Sequence, residues 1–189
     1  MSTFRCFPKT FLAVCLLFGG WRASVSAAPT QPPVTLLGRA DALPLALDPA
    51  VEIRKVKADF LETPEVTGVR RLRTENSEDQ NLAFERRRLL YGAVTPADMR
   101  ARYGNYYTFF WRTRRPGQYT VRLEYRQQKL GAYVQAREVE YPAGEGSRIT
   151  RFAVNGDDYV EQGRVSAWRL VVIEDHRKIV ALKQSYLWR

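Results

Sequence analysis

Three carboxylates stand close together in the C-terminal half, Asp157, Asp158 and Glu161, and by type and spacing they come nearest to an active site. Two acids at a suitable separation can divide the acid and nucleophile or base duties of glycoside hydrolysis, and three in one loop could hold calcium weakly. Yet they follow Asn155-Gly156, and Asn-Gly-Asp-Asp is in the first place a turn-forming run. A Ser-His-acid set needs a histidine. The sole one, His176, lies beside Asp175 in a predicted hairpin turn, which suits a solvent-exposed side chain better than a buried base. Zinc sites draw on several His or Cys ligands, and the sequence has no glycine motif of the Walker or dinucleotide type. It therefore assigns no catalytic residue, no metal ligand and no cofactor. A secreted hydrolase built on the carboxylates of residues 157–161 stands as the alternative to a binding protein.

Binding asks for less. Tyr106, Tyr107, Tyr133, Tyr141, Tyr159 and Trp188 offer flat rings for sugar faces or bases, with arginines nearby to catch anionic groups. Alternation along residues 106–113 puts Tyr107, Phe109 and Trp111 on one face and Tyr106, Thr108, Phe110 and Arg112 on the other. The densest basic spots are Arg86-Arg87-Arg88 and Arg112 with Arg114-Arg115. Tyr106, Arg112, Arg114, Arg115 and Tyr133 are the ligand-binding candidates. A central sandwich strand, buried on one side and partly covered on the other by a helix or leader, produces the same pattern with no ligand.

The ends of the sequence speak to compartment. Arg5 and Lys9 precede an apolar run over residues 11–18, and Ser24-Val25-Ser26-Ala27 supplies small residues at the spacing signal peptidase reads. The run is about half the roughly 20 residues a membrane span needs. Residues 1–27 therefore read as a cleavable signal, which predicts export to the periplasm, cell surface or medium and no integral membrane anchor after cleavage. Both cysteines, Cys6 and Cys15, leave with it, so the mature chain has no thiol for a disulfide or a nucleophile. Residues 1–27 also carry three of the thirty basic residues and none of the twenty acidic ones, which leaves a net charge of +7 from +10. Arginine, whose fork suits carboxylate, sulfate or phosphate, supplies nearly all of it. The charge fits an anionic polysaccharide or an envelope protein as partner, and export argues against nucleic acid.

Residues 28–49 are rich in Pro and Ala and read as an extended leader or linker, although Leu36, Leu37, Leu45 and Leu47 favour contact with the domain. Residues 50–189 read as one β domain. The period is two over 51–60, with a bulge or face switch near Arg54-Lys55, and weaker over 66–73; residues 75–80 form a polar loop. Residues 82–91 fit either a strand or a helix. Thr95-Pro96-Ala97-Asp98 has the form of a helix start, with Thr95 as N-cap and Asp98 in a short capping box, and Gly104 ends that connector helix. Strands follow over 106–113, 119–127, 133–141, 148–154, 165–173 and 179–188, with turns at Pro116-Gly117, at 142–146 and at 175–178. The expected fold is all-β, an antiparallel two-sheet sandwich with one short connector helix.

The order of an aromatic strand, PGQYTVRLEYR, a long loop, WRLVVIED and a terminal strand resembles immunoglobulin-like or fibronectin-type sandwiches over residues 105–189. The stretches LEYRQQKLGAYVQ, AWRLVVIED and QSYLW resemble small exported bacterial proteins of uncharacterised function. The resemblance implies an immunoglobulin-like fold and export, and supplies no activity. The chain departs from antibody-type domains in lacking the inter-sheet disulfide, so Trp111 or Trp168 must fill the core without it. The expected function is a non-enzymatic binding or assembly module of the cell envelope, for an anionic or carbohydrate ligand. A purely structural subunit that self-associates, through the terminal strand if that strand is a sheet edge, is the third reading.

Overall fold

Strict alternation sends Tyr119, Val121, Leu123 and Tyr125 to one side of their strand and Tyr107, Phe109 and Trp111 to one side of theirs, and all seven are buried against each other. A computed structural model describes residues 31–38, 40–62, 80–143 and 145–188. In chain order the elements are β1 (Thr35–Leu37), β2 (Val51–Leu61), α1 (Gln80–Leu89), α2 (Pro96–Arg102), β3 (Gly104–Thr113) and β4 (Tyr119–Gln127). A 3-10 turn (Gln128–Leu130) leads to β5 (Gln135–Tyr141), β6 (Gly146–Asn155), α3 (Asp157–Gln162), β7 (Val165–Glu174) and β8 (Lys178–Gln184). Two antiparallel sheets result, one in the order β1-β5-β4-β7-β8 and one in the order β2-β3-β6. They close on a single aromatic core, the expected two-sheet sandwich. Residues 31–189 form one compact unit that holds every strand and every core residue.

The bulge expected near Arg54-Lys55 is present as a register shift between Ile53 and Lys55. Three helices occupy the described residues where one was expected. Residues 82–89 are helical and 90–91 continue as a turn, because Leu89 and Leu90 pack on Leu61, Tyr103 and Tyr159 while Glu85 pairs with Lys57 on the outer face of β2. The acidic run after Gly156 is helical too, a short turn of α3 between Gly156 and Gly163, both at positive φ. The last strand stops at Gln184, and a turn folds Trp188 back over Arg126 and Arg169. The weak strand expected at residues 66–73 and the polar loop at 75–80 fall largely outside the described residues.

The leader lies along the sandwich. Its β1 pairs with β5, and residues 44–48 run beside the edge of β8 through Ile179 N to Pro44 O, Ala46 N to Ile179 O and Asp48 N to Val180 O, each 2.9 Å. Leu43 packs on Ile173 and Ile179, whereas Leu36, Leu45 and Leu47 stay exposed. The outer face of the five-stranded sheet is consequently covered. Arg122 and Glu124 on β4 point outward, yet both are buried, in ion pairs with Glu138 and Arg169.

Burial holds the phenols of Tyr107, Tyr125 and Tyr141 above the ordinary tyrosine value, Tyr107 furthest. The neutral form favours the folded chain fully below the unfolded tyrosine pKa of 10.0, and the advantage is lost as pH rises through the raised folded values. Urea unfolding at pH 9 and pH 11 should therefore show a lower midpoint at the higher pH, the unfolding free energy falling by up to about 1.4 kcal/mol per pH unit for each withheld phenol. An unchanged midpoint would contradict the burial of these three rings.

Candidate functional site

One end of the sandwich carries all three helices, and short polar clamps hold α2 and α3 there. Thr95 Oγ1 accepts from the Asp98 amide at 3.1 Å, and the Asp98 carboxylate accepts from the amides of Thr95 (2.9 Å) and Val94 (3.3 Å), the capping box legible in the sequence. Those donors hold the Asp98 carboxyl below the usual carboxylate range. Asn155 Nδ2 donates to Ala101 O at 2.9 Å and so ties the last turn of α2 to β6. The helix α3 hangs on Gln127, a fully buried residue whose Nε2 donates to Asp158 O (3.0 Å) and Gly163 O (2.8 Å) at the two ends of the helix. Gln135 Nε2 adds a bond to Gln162 Oε1 at 2.7 Å.

Between these helices, the end of β2 and the 3-10 turn lies a cleft of about 920 Å³. Phe60, Met99, Tyr103, Tyr159 and Val160 make its apolar walls, with Val94 and Pro96 at the lip. Phe60 and Tyr159 meet edge to face with centroids 5.7 Å apart, and the Arg164 guanidinium lies 4.1 Å over the Phe60 ring. Arg100, Lys129 and Arg164 also line the cleft, against one acid among the described residues, Glu62. Lys129 Nζ donates to Val160 O at 3.1 Å, and Arg100 reaches Asp157 at 3.2 Å. Such a site can hold the flat face of a ligand and neutralise its negative charge.

The five binding candidates taken from the sequence do not converge. Tyr106 is half-buried on the outer face of β3; its hydroxyl donates to Arg102 O and accepts from Asn155 Nδ2 at 3.2 Å, and burial holds its phenol above the ordinary value. Arg112 lies six residues along the same strand, about 20 Å away, exposed between Glu52 and Ser147. Arg114 and Arg115 follow it at that far end. The Arg114 amide donates to Ala50 O, and Arg115 is ion-paired with Asp48 on the leader and lies 3.7 Å from Glu174. Tyr133 is exposed beyond the 3-10 turn. Of the other rings considered as a platform, Tyr107, Tyr141, Tyr159 and Trp188 are all buried. Asp157 and Asp158 pair with Arg100 and Arg137, Glu161 is exposed, and none of the three lines the cleft. His176 is exposed in its turn, 3.1 Å from Gln118 Nε2. Among the described residues no group of three or more His, Cys, Asp or Glu side chains is placed to hold a metal, and no helix is long and apolar enough to cross a membrane.

Phe60, Met99, Tyr103, Lys129 and Arg164 were not candidates from the sequence. Phe60, Tyr103 and Arg164 sit at or just beyond the end of an element and Met99 and Lys129 inside short helical turns, where period-two reading does not apply. The available signal was the pair Gly156 and Gly163, which frames a six-residue helix and turns Tyr159 and Val160 toward Phe60. No protein-family model, curated protein or solved structure matches this chain.

The junction of α2 with β3 rests on Gly104, at φ +148°, where an added Cβ would lie 2.3 Å from Val154 O and 2.5 Å from Asn155 Cα. Both contacts are backbone, so neither can swing aside. Gly104→Ala should lower unfolding stability by at least about 1–3 kcal/mol, read as a reduced melting temperature. Wild-type stability in this variant would mean that β3 and β6 approach less closely here.

Proposed function

We propose that this chain is an exported, non-enzymatic binding module of the cell envelope that takes an anionic ligand with a flat apolar or sugar face in the cleft between α2 and α3. The observation that carries the reading is the cleft's composition. Aromatic and aliphatic walls are ringed by Arg100, Lys129 and Arg164, with Glu62 as the one acid among the described lining residues. An acidic saccharide fits this chemistry: its apolar face can lie against the more open Met99 and Val160 beside Phe60 while its carboxylate or sulfate meets Arg164 and Lys129. The engagement of Asp157 and Asp158 with arginines favours binding over hydrolysis, since two carboxylates working on a glycosidic bond must face the substrate. Export rests on residues 1–27 of the sequence. Kinship with immunoglobulin-like or fibronectin-type sandwiches belongs to the same reading, supported by a chain that crosses between the two sheets after β1, β3, β5 and β6.

The test is binding of the chain from Ala28 onward to acidic and neutral glycans at low and raised salt. Acidic glycans should bind, with affinity falling as salt rises, and Arg164→Ala with Lys129→Ala should weaken binding about ten-fold. Silence toward every acidic glycan, or affinity indifferent to both substitutions, would overturn the proposal. Salt-resistant binding of neutral sugars alone would remove its anionic half.

A further inference from the structure

Residues 84–102, from the outer side of α1 through the following loop to the end of α2, form an arm that keeps Phe84, Tyr91 and Val94 in water. Tyr91 is 84% exposed, Val94 82% and Phe84 63%, and α2 buries none of its residues. Helical hydrogen bonding runs past α1, with Leu90 N to Arg86 O and Tyr91 N to Arg88 O. Phe84 and Tyr91, seven residues apart, therefore share one helical stripe, with the exposed Arg87 and Arg88 between them. Leu89 and Leu90 pack inward on the Leu61, Tyr103 and Tyr159 cluster, so the outward rings are not what holds the arm in place. The arm carries five arginines, Arg86, Arg87, Arg88, Arg100 and Arg102, against Glu85 and Asp98. Both acids are already engaged, Glu85 with Lys57 and Arg88, Asp98 with the backbone that caps α2. Arg88 pairs with Glu85 and Arg100 with Asp157, so the exposed arginines that carry the positive charge of this segment toward a partner are Arg87 and Arg102.

We propose that this arm docks the protein on a bilayer bearing anionic headgroups, with Tyr91 and Val94 entering the headgroup layer and Arg87 and Arg102 meeting lipid phosphates. An exposed aromatic and a valine at a loop tip, flanked by arginines with long apolar stems, match the polarity gradient at a membrane surface. A second copy is the poorer occupant, because a two-fold contact would set one arginine-rich surface against its equal. The attachment is reversible: a few side chains and two arginines, each contributing about five-fold in affinity, fall short of permanent anchoring.

The test is flotation of the chain from Ala28 with vesicles of phosphatidylcholine alone and of phosphatidylcholine mixed with phosphatidylglycerol. The protein should float with the mixed vesicles only and be released by raised salt. Arg87→Ala with Arg102→Ala should weaken binding about twenty-fold, and Phe84→Ser with Tyr91→Ser should weaken it too. These positions are exposed, so the variants keep the fold. The chain from Ala28 has no cysteine, so Tyr91→Cys provides a single site for an environment-sensitive dye. Its emission should shift to the blue on mixed vesicles, whereas the same dye at Leu47→Cys, 64% exposed beside β8, should not shift. Equal flotation with both vesicle types, no flotation, indifference to the substitutions, equal shifts at the two positions, or self-association buried at the arm would each overturn the proposal.

Discussion

The two sheets close around Trp111. Its ring has no accessible surface, meets Tyr119 and Tyr141 edge to face at 6.0 and 5.3 Å, and donates its indole N–H to Thr150 Oγ1 at 2.9 Å. Thr150 in turn bonds the Tyr141 hydroxyl at 2.7 Å, so one threonine satisfies two aromatic polar atoms in a dry interior. No cysteine follows Cys15, so nothing covalent links the sheets, and packing of this kind has to do so. Truncating a buried tryptophan costs about 3–5 kcal/mol, a large part of the roughly 5–15 kcal/mol by which a domain is stable. Because Trp111 fixes the inward face of β3, it also sets the other face, where Tyr106 lies beside α1, and the strand's first residue, Gly104, where α2 must turn.

Register across the larger sheet has a second source. Arg122 sits directly across from Glu138, and Glu124 directly across from Arg169, so the ion pairs are cross-strand partners in the β4–β5 and β4–β7 ladders. Desolvating these charges offsets much of their attraction, which makes them a weak source of stability. As a device for register they are stronger, since a slip of one residue would carry them to the aromatic side. The Asp41 carbonyl, which accepts from Arg122 Nη1 at 2.9 Å, and Trp188, stacked on Arg169, complete the enclosure. Leader and C-terminus thus close the same face.

What could be read in the sequence was whatever a single strand or cap decides by itself. Alternation found the core faces of β3 and β4, the break at Arg54-Lys55 announced the bulge, and Thr95-Pro96 with Asp98 announced α2. The rest depends on neighbours remote in the chain. Arg122 and Glu124 have the pattern of a solvated face, and only the crossing of residues 40–48 and of Trp188 buries them. LAFERRRLLY is ambiguous because its apolar residues suit both periods; packing of Leu89 and Leu90 on Leu61 decides for helix. The candidate site was hardest to see, since its residues come from four separate stretches of chain, 60–62, 94–103, 128–129 and 159–164, and no local pattern joins Phe60 to Arg164.

Arginine content was the plainest signal of an anionic partner, and the fold separates its sources. Arg122, Arg137 and Arg169 answer carboxylates within the sandwich, and Arg115 answers Asp48 on the leader, so these guanidiniums act as internal clamps. Bulk charge therefore overstates what a partner meets. At the helical end the case is different, because Arg164 and Lys129 face a cleft and Arg87 and Arg102 stand exposed beside Tyr91 and Val94. There the positive groups border apolar surface that the fold leaves in water, and an anion with an apolar portion can satisfy both at once, as a simple ion cannot. Location, more than net charge, ties the arginines of this end to recognition.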